Sequence, residues 1–256
     1  MFDADRFVTL AKQRGLALGT PLVSVRVTES TNDLALEAGR SGAAHGATFV
    51  AEEQTRGRGR RGRLWSSPPG QNLTFSTLLR PNLEPERASS LTLAIGLAVR
   101  DVVAARVAAA VGVKWPNDVV VHGRKVAGIL VESQLVGGRI SALVAGIGLN
   151  VSMRELLPEI AEIATSLALL GASDLEREPL LCDVLAELDR RVRVHETAGL
   201  PALLDELRAH DALLGRRIRV ETATGVARGI DATGALLLEN ERGEIRPIVS
   251  GTVEVM

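Results

Sequence analysis

The stretch DVVVHGRKVAGILVESQLVGGRISALVAGIGLN, residues 118–150, sets the architecture. It is dense in Val, Ile and Leu, holds no proline, and is broken only at His122-Gly123-Arg124 and at Gly137-Gly138. β-branched residues suit a pleated surface, and short glycine-containing breaks fold a strand back on its neighbour. Three successive strands are therefore expected: Asp118 to Val121, Lys125 to Gln134 and Arg139 to Leu149. On the N-terminal side, Val113 to Trp115 reads as a short extended piece, and the Ala/Leu-rich run Glu86 to Ala110 as a long, deeply packed helix. Asn72 to Leu79, Ala47 to Glu52 and Pro21 to Thr28 read as further strands. Ser30 and Thr31 stand where a helix cap belongs, ahead of a helix through residues 33–40, and Asp3 to Arg14 reads as a first helix. On the C-terminal side, Leu180 to His195 and Leu200 to Leu213 read as helices. Beyond Leu214, five short β-like pieces separated by glycine turns read as a small antiparallel barrel. The expected class is α+β with a mainly antiparallel sheet, divided near Leu213 to Gly215 into a domain of residues 1–213 and a small β-domain of residues 214–256.

Composition narrows the function classes. The 256 residues are 46% hydrophobic and 24% charged, enough for a packed core, and the net charge of −1 argues against a surface that coats nucleic acid or anionic membrane. Aromatics are only 2%, with no tyrosine, which weakens any model built on base-stacking platforms. Cys182 is the one cysteine, so an intrachain disulfide is ruled out, and its apolar helical setting reads as a buried, inert thiol. The four histidines, His45, His122, His195 and His210, show no metal-ligand spacing, so no protein metal site is expected. The charged N-terminus lacks the apolar stretch of a signal peptide, and no run of eighteen apolar residues occurs; a cytoplasmic protein is expected.

Five short motifs carry polar chemistry in this apolar setting. Gly57-Arg58-Gly59-Arg60-Arg61-Gly62-Arg63 sets four arginines among three glycines. Glycine lets the backbone approach a ligand, and the guanidinium fork suits phosphate or carboxylate. The stretch reads either as a loop wrapping an anion or as a solvated basic linker or nucleic-acid patch; it is neither a Walker A loop nor a dinucleotide fingerprint. Lys114-Trp115-Pro116-Asn117-Asp118 offers a charge, an indole, an amide and a carboxylate, or is a plain turn with Trp115 as core filler. Lys125 opens an apolar strand and either faces an anion or guards a sheet edge. Gly146-Ile147-Gly148-Leu149-Asn150 would let a flat ligand lie against a strand, or is a strand ending in a turn. Ser30-Thr31-Asn32 offers three hydrogen-bonding side chains and caps a helix.

In this order the motifs STN, AEEQTRGRGRRGR, KWPND, KVAGILVE and GIGLNV resemble the biotin–protein ligase family, strongly from Ser30 to Val151 and more weakly to the end of the chain. The resemblance implies a catalytic domain related to class II aminoacyl-tRNA synthetases, followed by a Src-homology-3-like barrel. It implies an enzyme that activates biotin with MgATP to biotinyl-5′-AMP and transfers it to a lysine of a biotin carboxyl carrier domain. By position, Ser30, Thr31, Asn32 and Gln54 would border biotin, and Gly57, Arg58, Gly59 and Arg60 would close over biotin and adenylate. Arg61 and Arg63 would help hold phosphates, Trp65 would flank adenine, and Arg58, Lys114, Asn117 and Asn150 would line the nucleotide side. Lys125 would contact the carboxylate and α-phosphate, with Arg60 and Asp118 as its catalytic companions, and Gly128, Gly146 and Gly148 would leave room for the ligand. Mg²⁺ would come with ATP. About 29 residues precede the STN motif, too few for the DNA-binding domain of some family members, so a ligase without repressor function is expected. Monomer and homodimer both stay open. A lipoate-type ligase and a nucleic-acid-binding module are the alternatives.

Overall fold

A computed structural model describes residues 1–65, 68–156 and 158–256. Strand β1 (Leu22–Thr28) pairs parallel with β2 (Thr48–Gln54), and helix α2 (Thr31–Arg40) makes the crossover that a parallel pair requires. Helix α1 (Ala4–Gln13) precedes them, capped by the Asp3 side chain on the Arg6 N–H at 2.9 Å. β3 (Asn72–Leu79), α3 (Pro85–Ala104), β4 (Val111–Lys114), β5 (Asp118–Val121), β6 (Arg124–Val136) and β7 (Arg139–Asn150) follow. The seven strands form one sheet in the order β1-β2-β3-β7-β6-β5-β4, antiparallel throughout except for the first pair. The three expected strands in residues 118–150 are β5, β6 and β7.

Alternation along β7 separates the faces of the sheet. Leu143, Ala145, Ile147 and Leu149 enter the main core with α3 and with α4 (Arg177–Ala198). Ala142 and Val144 point the other way, into a small cluster beneath α2. Period two then puts Gly146, Gly148 and Asn150 on that second face, where α2 begins. On the core side, α3 buries Leu91, Ile95, Leu97 and Val99 completely. Each such side chain contributes about 1.5–3 kcal/mol.

Two expected helices end differently. The run Glu86 to Ala110 is helical only to Ala104; the chain turns there so that Val111 can begin β4 beside β5. Leu200 to Leu213 is a 3-10 turn (Leu200–Leu203) and a short α5 (Leu204–Ala209). The helix stops because the next residues pair with β4: the Val113 N–H donates to the His210 carbonyl at 2.8 Å and the Ala212 N–H to the Val113 carbonyl at 3.0 Å. Strands β8 (Arg217–Val220), β9 (Ala223–Ile230), β10 (Leu236–Glu239), β11 (Ile245–Ile248) and β12 (Val253–Val255) form a second, antiparallel sheet. Its order is β11-β10-β9-β8-β12, the small antiparallel C-terminal β-domain expected, built as an open sheet. Its residues Ile218, Val220, Leu236 and Val253 join the same apolar cluster as Val113 and Trp115. Cys182 is fully buried, and desolvation raises its thiol pKa.

Candidate active site

Lys125 sits on β6, between β5 and β7, so it is not an edge-strand lysine. Its Nζ lies 2.6 Å from Asp118 Oδ1 at the start of β5, as an ion pair out of line for a hydrogen bond, and 5.3 Å from the centre of the Trp65 ring. Its backbone is held from the other side: the Lys125 N–H donates to the Ile163 carbonyl and the Thr165 N–H to the Lys125 carbonyl, both at 2.8 Å. A Cβ on Gly128 would come within 2.7 Å of Nζ, so glycine there lets the lysine lie across its own strand.

The start of α2 and the second face of β7 form a narrow cleft of about 40 Å³ next to this lysine. Ser30, Thr31 and Asn32 are all buried in it. Ser30 occupies the cap position but makes no side-chain cap bond. The Thr31 N–H and hydroxyl donate to Gln54 Oε1 at 2.7 and 3.1 Å. The Asn32 amide donates to Glu132 at 2.6 Å, and the Ser76 hydroxyl stands 2.6 Å from Asn32 Oδ1 and 2.7 Å from Thr31 Oγ1. Asn32 is thus held at both ends by protein groups. Gly146 leaves space for this amide, and Gly148 for the Trp65 indole; a Cβ on either would overlap them. Both glycines, like Gly128, line the cleft, and they also make room for the side chains that wall it. The Trp65 Nε1 is buried with no hydrogen-bond partner among the described residues.

On the other side of Lys125 opens a cavity of about 1130 Å³. Its roof is the arginine loop, which is folded rather than extended: the Trp65 N–H donates to the Gly57 carbonyl at 2.9 Å and the Gly59 N–H to the Arg63 carbonyl at 2.7 Å. Arg58 turns toward the narrow cleft and pairs with Asp33 at 2.6 Å and Glu132 at 3.2 Å. Arg60 lines the large cavity, and burial and the neighbouring Arg61 lower its pKa. Arg61 pairs with Glu221, and Arg63 donates to Thr252 Oγ1 at 2.6 Å; both partners belong to the second sheet or its turns. Lys114 lines the floor, where burial lowers its pKa. Asn117 fastens β6, its Nδ2 donating to the Ile129 carbonyl at 2.8 Å. Asn150 donates to the Thr165 carbonyl at 2.9 Å. Trp115 is the core filler: 2% exposed, its Nε1 donates to the Gly234 carbonyl at 3.0 Å, and its ring is not free to stack.

The structure thus brings every expected residue to one of two cavities that meet at Gly59, Trp65, Asn117 and Lys125, except Gly57, which closes the base of the loop. Sequence reasoning missed Ser76 and Glu132, which hold the STN motif, and residues 152–156 together with Pro158, Ile160 and residues 162–164, which form one wall of the large cavity. Glu132 was visible as the last residue of KVAGILVE; Ser76 and the wall gave no signal. Among the described residues, no group of three or more His, Cys, Asp or Glu is arranged to hold a metal ion, and no helix is long and apolar enough to cross a membrane.

A profile of the biotin/lipoate A/B protein ligase family matches residues 24–150, and one of the biotin protein ligase C-terminal domain matches residues 213–256. The chain belongs to the biotin protein ligase family. It is 34% identical over 242 residues to the bifunctional ligase/repressor BirA of Escherichia coli, covering 93% of this chain and 74% of that protein. It is 38% identical over 225 residues to the biotin–[acetyl-CoA-carboxylase] ligase of Mycobacterium tuberculosis, covering 84% and 82%. The structure of the Aquifex aeolicus biotin protein ligase in complex with biotin and ATP superposes with a TM-score of 0.80 at 30% identity, over 93% of this chain and 99% of that one.

Proposed function

We propose that the chain is an ATP-dependent biotin–protein ligase, which forms biotinyl-5′-AMP and transfers biotin to a lysine of a biotin carboxyl carrier domain. The observation that carries the reading is the place of Lys125, at the junction of a narrow polar cleft and a large arginine-roofed cavity. A carboxylic acid with a polar ring head, seated in the cleft against Ser30, Thr31 and Gln54, would present its carboxylate at Lys125. A nucleotide in the large cavity would bring its α-phosphate to the same point. Asn32 would act by fixing the shape of the cleft.

In the first step the biotin carboxylate attacks the α-phosphate of MgATP and pyrophosphate leaves. Magnesium enters as part of that substrate, and the residues needed are those that orient and neutralise charge. Lys125 and Arg60 would stabilise the charge that builds on the phosphate, while Lys114, Arg61 and Arg63 would face the departing pyrophosphate. Trp65, Asn117 and Asn150 would bound the nucleotide. In the second step an acceptor lysine attacks the acyl carbonyl and AMP leaves. That amine must be neutral, and Asp118, 2.6 Å from Lys125 Nζ, would orient it or take its proton. We also read residues 1–213 as the catalytic domain and residues 214–256 as a smaller domain that bounds the nucleotide cavity.

The test is biotin-dependent ATP–pyrophosphate exchange, followed by transfer of labelled biotin to a purified carrier domain. Exchange driven by lipoate and not by biotin would overturn the choice of acid. Absence of exchange with either would overturn the ligase reading.

A further inference from the structure

The arginine loop is tied to the second sheet at a point that the reaction chemistry does not require. Among the described residues only three that are not glycine have positive φ: Arg61 at 57°, His122 at 50° and Glu221 at 54°. A side chain in that region costs about 1 kcal/mol or more, and such backbone persists where surrounding contacts hold it. Two of the three, Arg61 and Glu221, are ion-pair partners 160 residues apart. The Glu221 carboxylate is also aimed in advance: the Thr252 N–H donates to Oε1 at 3.1 Å, and this bond, followed by Arg61, lowers its pKa. Thr252 in turn accepts from Arg63 at 2.6 Å.

We propose that Glu221 is a positioning residue for adenylate retention: it clasps Arg61 and keeps the arginine loop closed over the acyl adenylate after pyrophosphate has left. This inference rests on the ligase reading. While MgATP is bound, Arg61 lies on the cavity that receives the phosphates. Departure of pyrophosphate removes those anions at the moment when the water-labile mixed anhydride must be sheltered. Glu221 supplies a replacement anion from the second sheet, so the loop keeps a reason to stay down. The pair is about half exposed on both sides, which makes it reversible: the loop can still open for release of AMP and biotinylated product.

The experiment loads the full-length enzyme with biotinyl-5′-AMP itself, so that adenylate formation is not needed, and follows its first-order loss by dissociation and hydrolysis. Glu221→Gln is expected to lose adenylate roughly three- to fivefold faster, the scale of an exposed ion pair, while ATP–pyrophosphate exchange stays within about twofold of wild type. Added salt should raise the wild-type loss rate toward that of the variant and leave the variant nearly unchanged. Arg61→Glu alone should leak, and Arg61→Glu combined with Glu221→Arg should recover part of the retention, which a merely structural role for Glu221 would not give. Equal loss rates for wild type and Glu221→Gln, or no recovery in the charge-swapped pair, would overturn the clasp and leave the ligase reading standing. A wild-type enzyme that does not hold biotinyl-5′-AMP would instead overturn the ligase reading.

Discussion

Lys125 illustrates what single residues reveal. A lysine at the head of an apolar strand reads either as an anion's partner or as the guard of a sheet edge, and the strand order, with β6 between β5 and β7, removes the second reading. Its companions were less legible in the sequence. Asp118 lies seven residues away and could be suspected, but Ser76 sits on β3 and Glu221 on a distant turn, and nothing in their sequence neighbourhoods marks them. A serine in a strand or a glutamate in a turn looks the same whether it carries a site or faces water, because its meaning comes from pairings across the chain. Lys125→Ala is expected to reduce biotin-dependent ATP–pyrophosphate exchange by 10² or more, the scale of one charge-stabilising group, with an unchanged circular dichroism spectrum; near-normal exchange would remove Lys125 from its role. Gly148→Ala drives a methyl into the Trp65 indole. It should cost about 1–3 kcal/mol, as overpacking does, and shift the indole emission. Urea denaturation and fluorescence check both.

At the scale of elements, strands were easier to read than helix ends. The β pieces of residues 118–150 and of the C-terminal region are bracketed by glycine turns, and their signals are local. The helices Glu86 to Ala110 and Leu200 to Leu213 were read too long, because an alanine- or leucine-rich run can stop wherever tertiary pairing offers its backbone a better partner. β4 makes that offer at His210 and Ala212. The packing of α3 against α4 carries its own pH dependence. His195 on α4 is fully buried, 2.8 Å from Ser90 on α3, and desolvation pushes its pKa down from 6.5 to about 4. Above pH 6.5 both folded and unfolded chains hold it neutral and its contribution is intact. As pH falls from 6.5 toward 4 the unfolded chain takes up the proton first, and stability is lost at up to about 1.4 kcal/mol per pH unit. Urea midpoints measured between pH 7 and 5 should show this loss, and His195→Gln should show less of it; parallel pH profiles for the two proteins would rule it out.

For the molecule as a whole, ligand linkage gives the broadest check. If the two cavities receive biotin and MgATP together, the pair should raise the melting temperature by several degrees more than either alone, since any ligand that binds only the folded state stabilises it by mass action. A response to ATP that biotin does not increase would argue for a different acid. The larger lesson concerns how the second sheet is attached. Its inner residues share one apolar cluster with Val113 and Trp115, the Trp115 indole donates to Gly234, and residues 210–212 pair with β4. Heat should therefore find no seam between the two sheets: differential scanning calorimetry is expected to give a single endotherm whose van 't Hoff and calorimetric enthalpies agree. A chain cut short at Leu213 would not be a smaller enzyme, but a sticky, partly molten fragment with a tryptophan laid bare.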